Sequence, residues 1–144
     1  MSDDTRTEQN PFPATGFSIA LGVDIVSVDR IEKALKRWGR RFLERCFTDW
    51  EIERFQHNPQ SLAGRFAAKE ALYKALATDE TETIGWRDVE VQANVKGAPL
   101  LKLYRSARAE ADKQGWHAEI VSISHDAGMV VAVVTALKFG EKIS

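Results

Sequence analysis

Three groupings in this 144-residue sequence have residue types and spacings that could do chemistry. The first is Asp24, a carboxylate set between Val23 and Ile25 in an otherwise apolar run. Burying a lone carboxylate costs on the order of several kcal/mol unless a cation or hydrogen bonds compensate it. Asp24 therefore reads either as the cap of a turn near the end of that run or as an oxygen ligand to a metal. The second is Arg65-x-x-x-Lys69-Glu70-x-x-x-Lys74. Residues four apart share a helix face, so Arg65 stacks with Lys69, while Phe66, Glu70 and Lys74 form another row. A plain Glu70–Lys74 surface pair would contribute only about 0.3–0.5 kcal/mol. Phe66 belongs in a core, however, which sets Glu70 at a packed edge and only partly exposed. The third is the basic stretch 30–41, where Arg30, Lys33, Arg37, Arg40 and Arg41 recur at spacings of three and four, with Glu32 the only acid among them. It reads as a solvated charged face or as a docking face for an acidic partner. Nucleic acid fits less well: the net charge is −1, and no aromatic platform accompanies the patch in the sequence.

Other reactive residues are sparse. His125 ends the run Ser122-Ile123-Ser124-His125-Asp126 beside a turn, where a phosphate contact is plausible, whereas His57 and His117 fall at element edges. Cys46 is the single cysteine, which excludes an internal disulfide and, with no clustered histidines, a zinc site. No Walker loop or dinucleotide fingerprint occurs. No apolar run approaches the ~18 residues of a membrane span, and the expected setting is cytoplasmic.

The elements that must position these residues follow from periodicity and capping. With 44% hydrophobic and 28% charged residues, the chain has the composition of one soluble globular domain, expected over 17–144. Residues 1–16, polar with two prolines and a glycine, read as a flexible extension. A buried strand is expected over 17–28, then a helix over 28–38 capped by Ser27 or Asp29 and closed by Gly39. A short helix over 41–46 follows. Thr48 with Glu51 forms a capping box opening a helix over 49–57, which Asn58-Pro59 breaks. The longest helix spans 60–76, with Leu62, Phe66, Tyr73 and Leu76 as its apolar face. A polar stretch, 78–83, leads to a hairpin of strands 89–95 and 100–103 around Lys96-Gly97-Ala98-Pro99. A helix over 104–114 stops at Gly115, and strands 117–124 and 129–137 join through Asp126-Ala127-Gly128. The order β-α-α-α-ββ-α-ββ lacks the alternation of a doubly wound fold and predicts α+β, with helices packed on a largely antiparallel sheet.

One pattern unites these hints. Gly22-Val23-Asp24 and, after residues 25–65, Phe66-Ala67-Ala68-Lys69-Glu70-Ala71-Leu72-Tyr73-Lys74 resemble the two-part signature of the 4′-phosphopantetheinyl transferase superfamily, in its small trimeric holo-acyl-carrier-protein synthase branch. Asp24-Ile25-Val26 before Arg30-Ile31, Gly64-Arg65-Phe66, and Ser122-Ile123-Ser124-His125 extend the likeness over about 22–137.

The resemblance implies transfer of phosphopantetheine from coenzyme A to a serine of an apo acyl carrier protein, releasing adenosine 3′,5′-bisphosphate, in fatty-acid biosynthesis. It implies Mg²⁺ held by Asp24 and Glu70, with Lys74 stabilising phosphate charge and Glu70 or a water taking the serine proton. Arg65, Lys69, Lys74, His125, Gly97 and Pro99 are the expected coenzyme A contacts. The basic residues Arg30, Lys33, Arg37, Arg40 and Arg41 become the expected docking face for an acidic carrier helix. A homotrimer with sites between subunits is implied, without nucleic acid or membrane as partner. The hairpin turn departs from the family's Gly-Lys-Pro, since Ala98 stands where the lysine would be. Competing readings are a transferase dedicated to the carrier domain of a multidomain synthase, a non-catalytic carrier-binding module, and a metal-dependent phosphohydrolase, which would usually need more carboxylates or histidines.

Overall fold

The computed structural model describes residues 16–77 and 84–139. The flexible extension expected over 1–16 lies outside them except for Gly16, as does the polar stretch 78–83. The described elements run β1 (Phe17–Ser27), α1 (Val28–Trp38), α2 (Arg40–Cys46), α3 (Asp49–Phe55) and α4 (Pro59–Leu76). A 3-10 turn (Trp86–Asp88), β2 (Val89–Ala93), β3 (Pro99–Leu103), α5 (Arg105–Lys113), β4 (Trp116–Asp126) and β5 (Met129–Phe139) follow. The class is α+β with antiparallel strands, but the strands form two sheets rather than one: β1-β5-β4, and the hairpin β2-β3.

Local chemistry sets the boundaries. Ser27, not Asp29, caps α1: its Oγ accepts from Arg30 N at 3.1 Å. Thr48 and Glu51 form the expected capping box, Thr48 N to Glu51 Oε1 at 2.9 Å and Glu51 N to Thr48 Oγ1 at 3.2 Å. Asn58 caps α4 through Ser61 N at 3.1 Å, so Pro59, placed as a breaker, is the first residue of the next helix, where its missing N–H costs nothing. The hairpin strand stops at Ala93 because Asn94 Oδ1 accepts from Lys96 N and Ala98 N, folding 94–98 into a turn. Ala127 and Gly128, both at positive φ, make the two-residue β4–β5 turn whose twist matches its strands.

α4 runs through the middle of the molecule, against β1 and β5 on one side and α1, α3 and β2 on others. It is accordingly buried nearly all round: Leu62, Phe66 and Leu76 are in the core, Tyr73 is half-buried, and Arg65 and Lys69 are buried too. Close approach to β1 requires Gly22. A Cβ there would stand 1.9 Å from Ala71 O and 2.7 Å from Ala75 N, both backbone atoms.

β1 was expected to be buried, and only one of its faces is. Ser18, Ala20, Gly22, Asp24 and Val26 face α4; Ile19, Leu21, Val23 and Ile25 face outward and are exposed. The register sets Leu21, Thr135 and Ile120 side by side, with Leu21 64% and Ile120 68% exposed. A strand apolar on both sides asks for cover on both, and this chain covers one.

Candidate active site

Gly22 brings β1 and α4 into contact, and the site lies at that seam. Asp24 is two residues beyond Gly22 on the same strand face, while Glu70 precedes Ala71, whose carbonyl meets Gly22. Lys74 Nζ donates to Asp24 Oδ1 at 3.0 Å and to Val23 O at 3.1 Å. The helix-surface pair considered for Glu70 and Lys74 is therefore replaced by a pair between α4 and β1. Asp24 is likewise not a turn cap, since Ser27 holds that place.

Glu70 is half-buried. Burial pushes its carboxyl above the ordinary glutamate value, the negative charge of Asp24 adds to the rise, and Arg30 and Lys74 oppose it. Glu70 thus senses charges on three elements, Asp24 on β1, Arg30 on α1 and Lys74 on α4. Arg30 extends over the Phe66 ring, 5.2 Å from its centroid.

Two cavities border α4. The larger, about 530 Å³, has Glu70 in its wall with Arg30, Arg41 and Arg45 and the aromatic faces of Trp38, Phe42 and Trp86. Aromatic residues do accompany the basic patch in space, contrary to the sequence expectation, because α2 and the 3-10 turn bring two of them. The smaller, about 250 Å³, gathers Arg65, Gly97, Pro99 and His125 with Gln60 and Ser61. Four of the six residues expected to contact coenzyme A thus share one cavity, while Lys74 is at the seam with Asp24. Arg65 is fixed there by Nε to Val91 O at 2.9 Å and Nη1 to Ser61 O at 3.3 Å, with its guanidinium 3.6 Å over the Phe55 ring. A guanidinium has five N–H donors, so three remain for an anion.

Lys69 is the correction. It was expected at a coenzyme A phosphate, but it is completely buried and turned into the core. Its ammonium donates to Glu51 Oε1 at 2.6 Å, Cys46 O at 2.8 Å and Trp86 O at 3.2 Å. Three donors and three acceptors leave nothing for a ligand. Burial pulls its pKa below the ordinary lysine value, against the supporting charge of Glu51.

Among the basic docking residues, Arg30, Lys33, Arg37, Arg40 and Arg41 are all exposed. Lys33 is already paired with Asp29 at 2.8 Å and Arg40 with Glu44 at 2.9 Å, while Arg37 lies against Trp38. Sequence reasoning missed Arg45, which continues the Arg37–Arg41 spacing by another four residues and could have been found that way. It also missed Trp38, Phe42 and Trp86, which carry no signal beyond being aromatic.

Among the described residues no group of three or more His, Cys, Asp or Glu side chains could hold a metal. A cation at this seam would have two carboxylates, Asp24 and Glu70. Two hard oxygen donors, completed by substrate phosphates and water, fit Mg²⁺ and do not fit zinc.

Residues 20–134 match the family of the 4′-phosphopantetheinyl transferase superfamily. Over 116 residues the chain is 45% identical to a holo-(acyl-carrier-protein) synthase of Geobacter sp. strain M21, covering 78% of this chain and 93% of that protein. Over 125 residues it is 38% identical to the enzyme of the same name from Herpetosiphon aurantiacus, covering 83% of this chain and 98% of the relative. The crystal structure of Helicobacter pylori holo-(acyl-carrier-protein) synthase in complex with coenzyme A superposes with a TM-score of 0.72 at 39% identity, covering 81% of this chain and 98% of that one. Signature, fold and relatives agree, and the chain belongs to the 4′-phosphopantetheinyl transferase superfamily.

Proposed function

We propose that Asp24 and Glu70 act together as the divalent-cation site of this transferase, with the Arg65–His125 cavity receiving coenzyme A and the Glu70 cavity receiving the carrier serine. The overall reaction is that of the family: 4′-phosphopantetheine passes from coenzyme A to a serine of apo acyl carrier protein, and adenosine 3′,5′-bisphosphate leaves. The observation that carries the site assignment is the close approach of β1 and α4 at Gly22, with Lys74 of α4 bonded to Asp24 of β1 one turn beyond Glu70.

When bound, Mg²⁺ would neutralise charge on the diphosphate while the serine oxygen displaces the bisphosphate. The chain's own residues do the rest. Lys74 orients Asp24 and adds positive charge where phosphate charge accumulates. Glu70, in the wall of the cavity that receives the serine, or a water beside it, would take the serine proton. Arg65, with three N–H groups unspent, and His125 face the nucleotide's phosphates, while Gly97 and Pro99 form the wall that the departing lysine of the family turn would have extended. The bare backbone at Gly97, at φ +83°, and the small Ala98 leave this side of the cavity uncharged.

The carrier would approach over α1 and α2. Arg30 and Arg41 stand both on the exposed basic face and in the cavity with Glu70, so an acidic helix docked there brings its serine to the reacting centre. Lys33 and Arg40, already partnered, contribute less to such docking.

The apolar outer face of β1-β5-β4 supports assembly into a homotrimer. Exposed contiguous apolar surface of this kind marks an interface. Val23 and Ile25 lie on it, one residue either side of Asp24, so a neighbouring subunit would pack within one residue of the site. The reading places the protein in the cytoplasm, where coenzyme A and carrier meet, and the structure has among its described residues no helix long and apolar enough to cross a membrane.

Mass spectrometry of an apo carrier protein incubated with coenzyme A, Mg²⁺ and this protein tests the function. The carrier should gain one phosphopantetheine. An unmodified carrier alongside hydrolysed coenzyme A would instead favour a phosphohydrolase.

A further inference from the structure

Lys69 and Glu70 are neighbours in the chain, yet their side chains leave α4 about 100° apart, as 3.6 residues per turn dictates. Glu70 faces the cavity with Arg30 and Trp86. Lys69 faces the interior, where its three bonds end on three different segments: Glu51 in α3, Cys46 at the end of α2, and Trp86 at the start of the 3-10 turn.

Two of those segments are walls of the cavity that contains Glu70: Cys46 and Trp86 both line it. Their main-chain carbonyls are held by one ammonium. The anchor is itself fixed, because Glu51 Oε1 also accepts from Thr48 N at 2.9 Å and Oε2 from Val91 N at 2.9 Å. The position of the Trp86 ring follows that of its backbone. The ring stacks on Phe66 with centroids 4.8 Å apart and meets Tyr73 edge-on at 5.2 Å, both on α4. A wholly buried lysine with no donor to spare thus ties α4, α2, α3 and the 3-10 turn together behind Glu70.

We infer that Lys69 is a positioning residue for transfer: its buried ammonium fixes the rotation of α4 and the Cys46 and Trp86 walls, and so sets Glu70 in the cavity where the carrier serine is received. The inference rests on the reading of Glu70 as a catalytic group. A residue that only held the fold together would affect melting temperature, and kcat only to the extent that protein unfolds. A positioning residue affects kcat in protein that remains folded.

Four variants separate these outcomes, each assayed for transfer to apo carrier protein at saturating coenzyme A, carrier and Mg²⁺, with thermal melts run in parallel. Lys69→Met removes the ammonium at similar length. Thr48→Ala loosens the same buried network, through Thr48's bonds to Glu51 and Glu90, while leaving all three Lys69 bonds in place. Below both melting transitions, Lys69→Met should have a kcat at least about tenfold under that of Thr48→Ala, since displacement of a catalytic group by ~1 Å can cost about 100-fold. The KM for coenzyme A should stay within about threefold of wild type, because Arg65 is fixed by its own bonds to Val91 and Ser61. Equal kcat in the two folded variants overturns the inference.

If Lys69→Met does not fold, the Glu51→Gln/Lys69→Met double variant, which leaves no unpaired buried charge, is read against Thr48→Ala in the same way. Failure of both to fold assigns Lys69 to folding alone and also overturns it. Glu70→Gln guards the premise: full activity there refutes the catalytic reading of Glu70 itself, whereas an inactive Glu70→Gln beside a fully active Lys69→Met refutes only the role of Lys69.

Discussion

Gly22→Ala should separate the two elements that form the site. The added Cβ would stand 1.9 Å from Ala71 O, and also 2.7 Å from Ala75 N and 2.9 Å from Ala71 C. All three are backbone atoms of α4, so no side-chain rotation relieves the clash. To restore even a 3.0 Å contact, β1 and α4 must part locally by about 1.1 Å. Overpacking of a core costs about 1–3 kcal/mol, and a clash against helix backbone belongs at the upper end of that range. The same displacement would stretch the Lys74–Asp24 bond from 3.0 Å beyond hydrogen-bond length and move Asp24 away from Glu70. Misplacement of ~1 Å at a reacting centre can cost about 100-fold in rate. A carrier-modification assay with melts run in parallel should therefore show a lowered melting temperature and a kcat/KM reduced about 100-fold in protein that is still folded. Gly64→Ala is the control for stability. Its Cβ would meet only side-chain carbons, Ile123 Cγ2 at 3.3 Å and Val130 Cγ1 at 3.7 Å, and alanine recovers helix propensity of about 1 kcal/mol. A Gly22→Ala protein as stable and active as wild type would refute the packing argument for the site.

Leu21→Lys, in the middle of the exposed apolar sheet face, should convert the assembled protein to monomers by light scattering and lower its activity; an unchanged mass would remove the interface. Asp88 ties the 3-10 turn to α5: burial raises its carboxyl, but hydrogen bonds from Ser106 and Arg105 outweigh that and hold it below the ordinary aspartate value. Its stabilising contribution is complete above the unfolded value of about 3.9 and is lost as pH falls through the lower folded value. Asp88→Asn should accordingly be less stable than wild type at pH 7, with the gap narrowing in acid; a gap independent of pH would contradict this. Cys46 is buried and its thiol is pushed up chiefly by that burial, so labelling by a maleimide should be slow in the native protein and fast once it is unfolded. Rapid native labelling would mean that the cavity floor opens.

Most elements were legible because their signals are local. Ser27, the Thr48–Glu51 box and Asn58-Pro59 mark helix ends within four residues of chain, and Ala127-Gly128 marks a turn within two. The pairing of Asp24 with Glu70 came from a resemblance in spacing, since nothing local in either segment points to the other. What stayed hidden depends on contacts between distant segments. Lys69 next to Glu70 could equally have faced solvent, and its burial follows from Glu51, Cys46 and Trp86 converging on it. Gly22 carries no local turn signal, and its necessity appears only when α4 lies across it. The separation into two sheets, and the partner of Lys74, were hidden for the same reason. The outward row Ile19, Leu21, Val23 and Ile25 was visible as hydrophobicity, but hydrophobicity does not say whether the cover comes from the same chain.

The most direct test of the central claim is a double-mutant cycle on Asp24→Asn and Glu70→Gln, measured as kcat against Mg²⁺ concentration in folded protein. Groups that act as one unit are not additive. Each single variant should lose most activity and the double variant little more than either, with none restored by excess Mg²⁺. Additive losses, or a Glu70→Gln protein that turns over at the wild-type rate, would contradict the account.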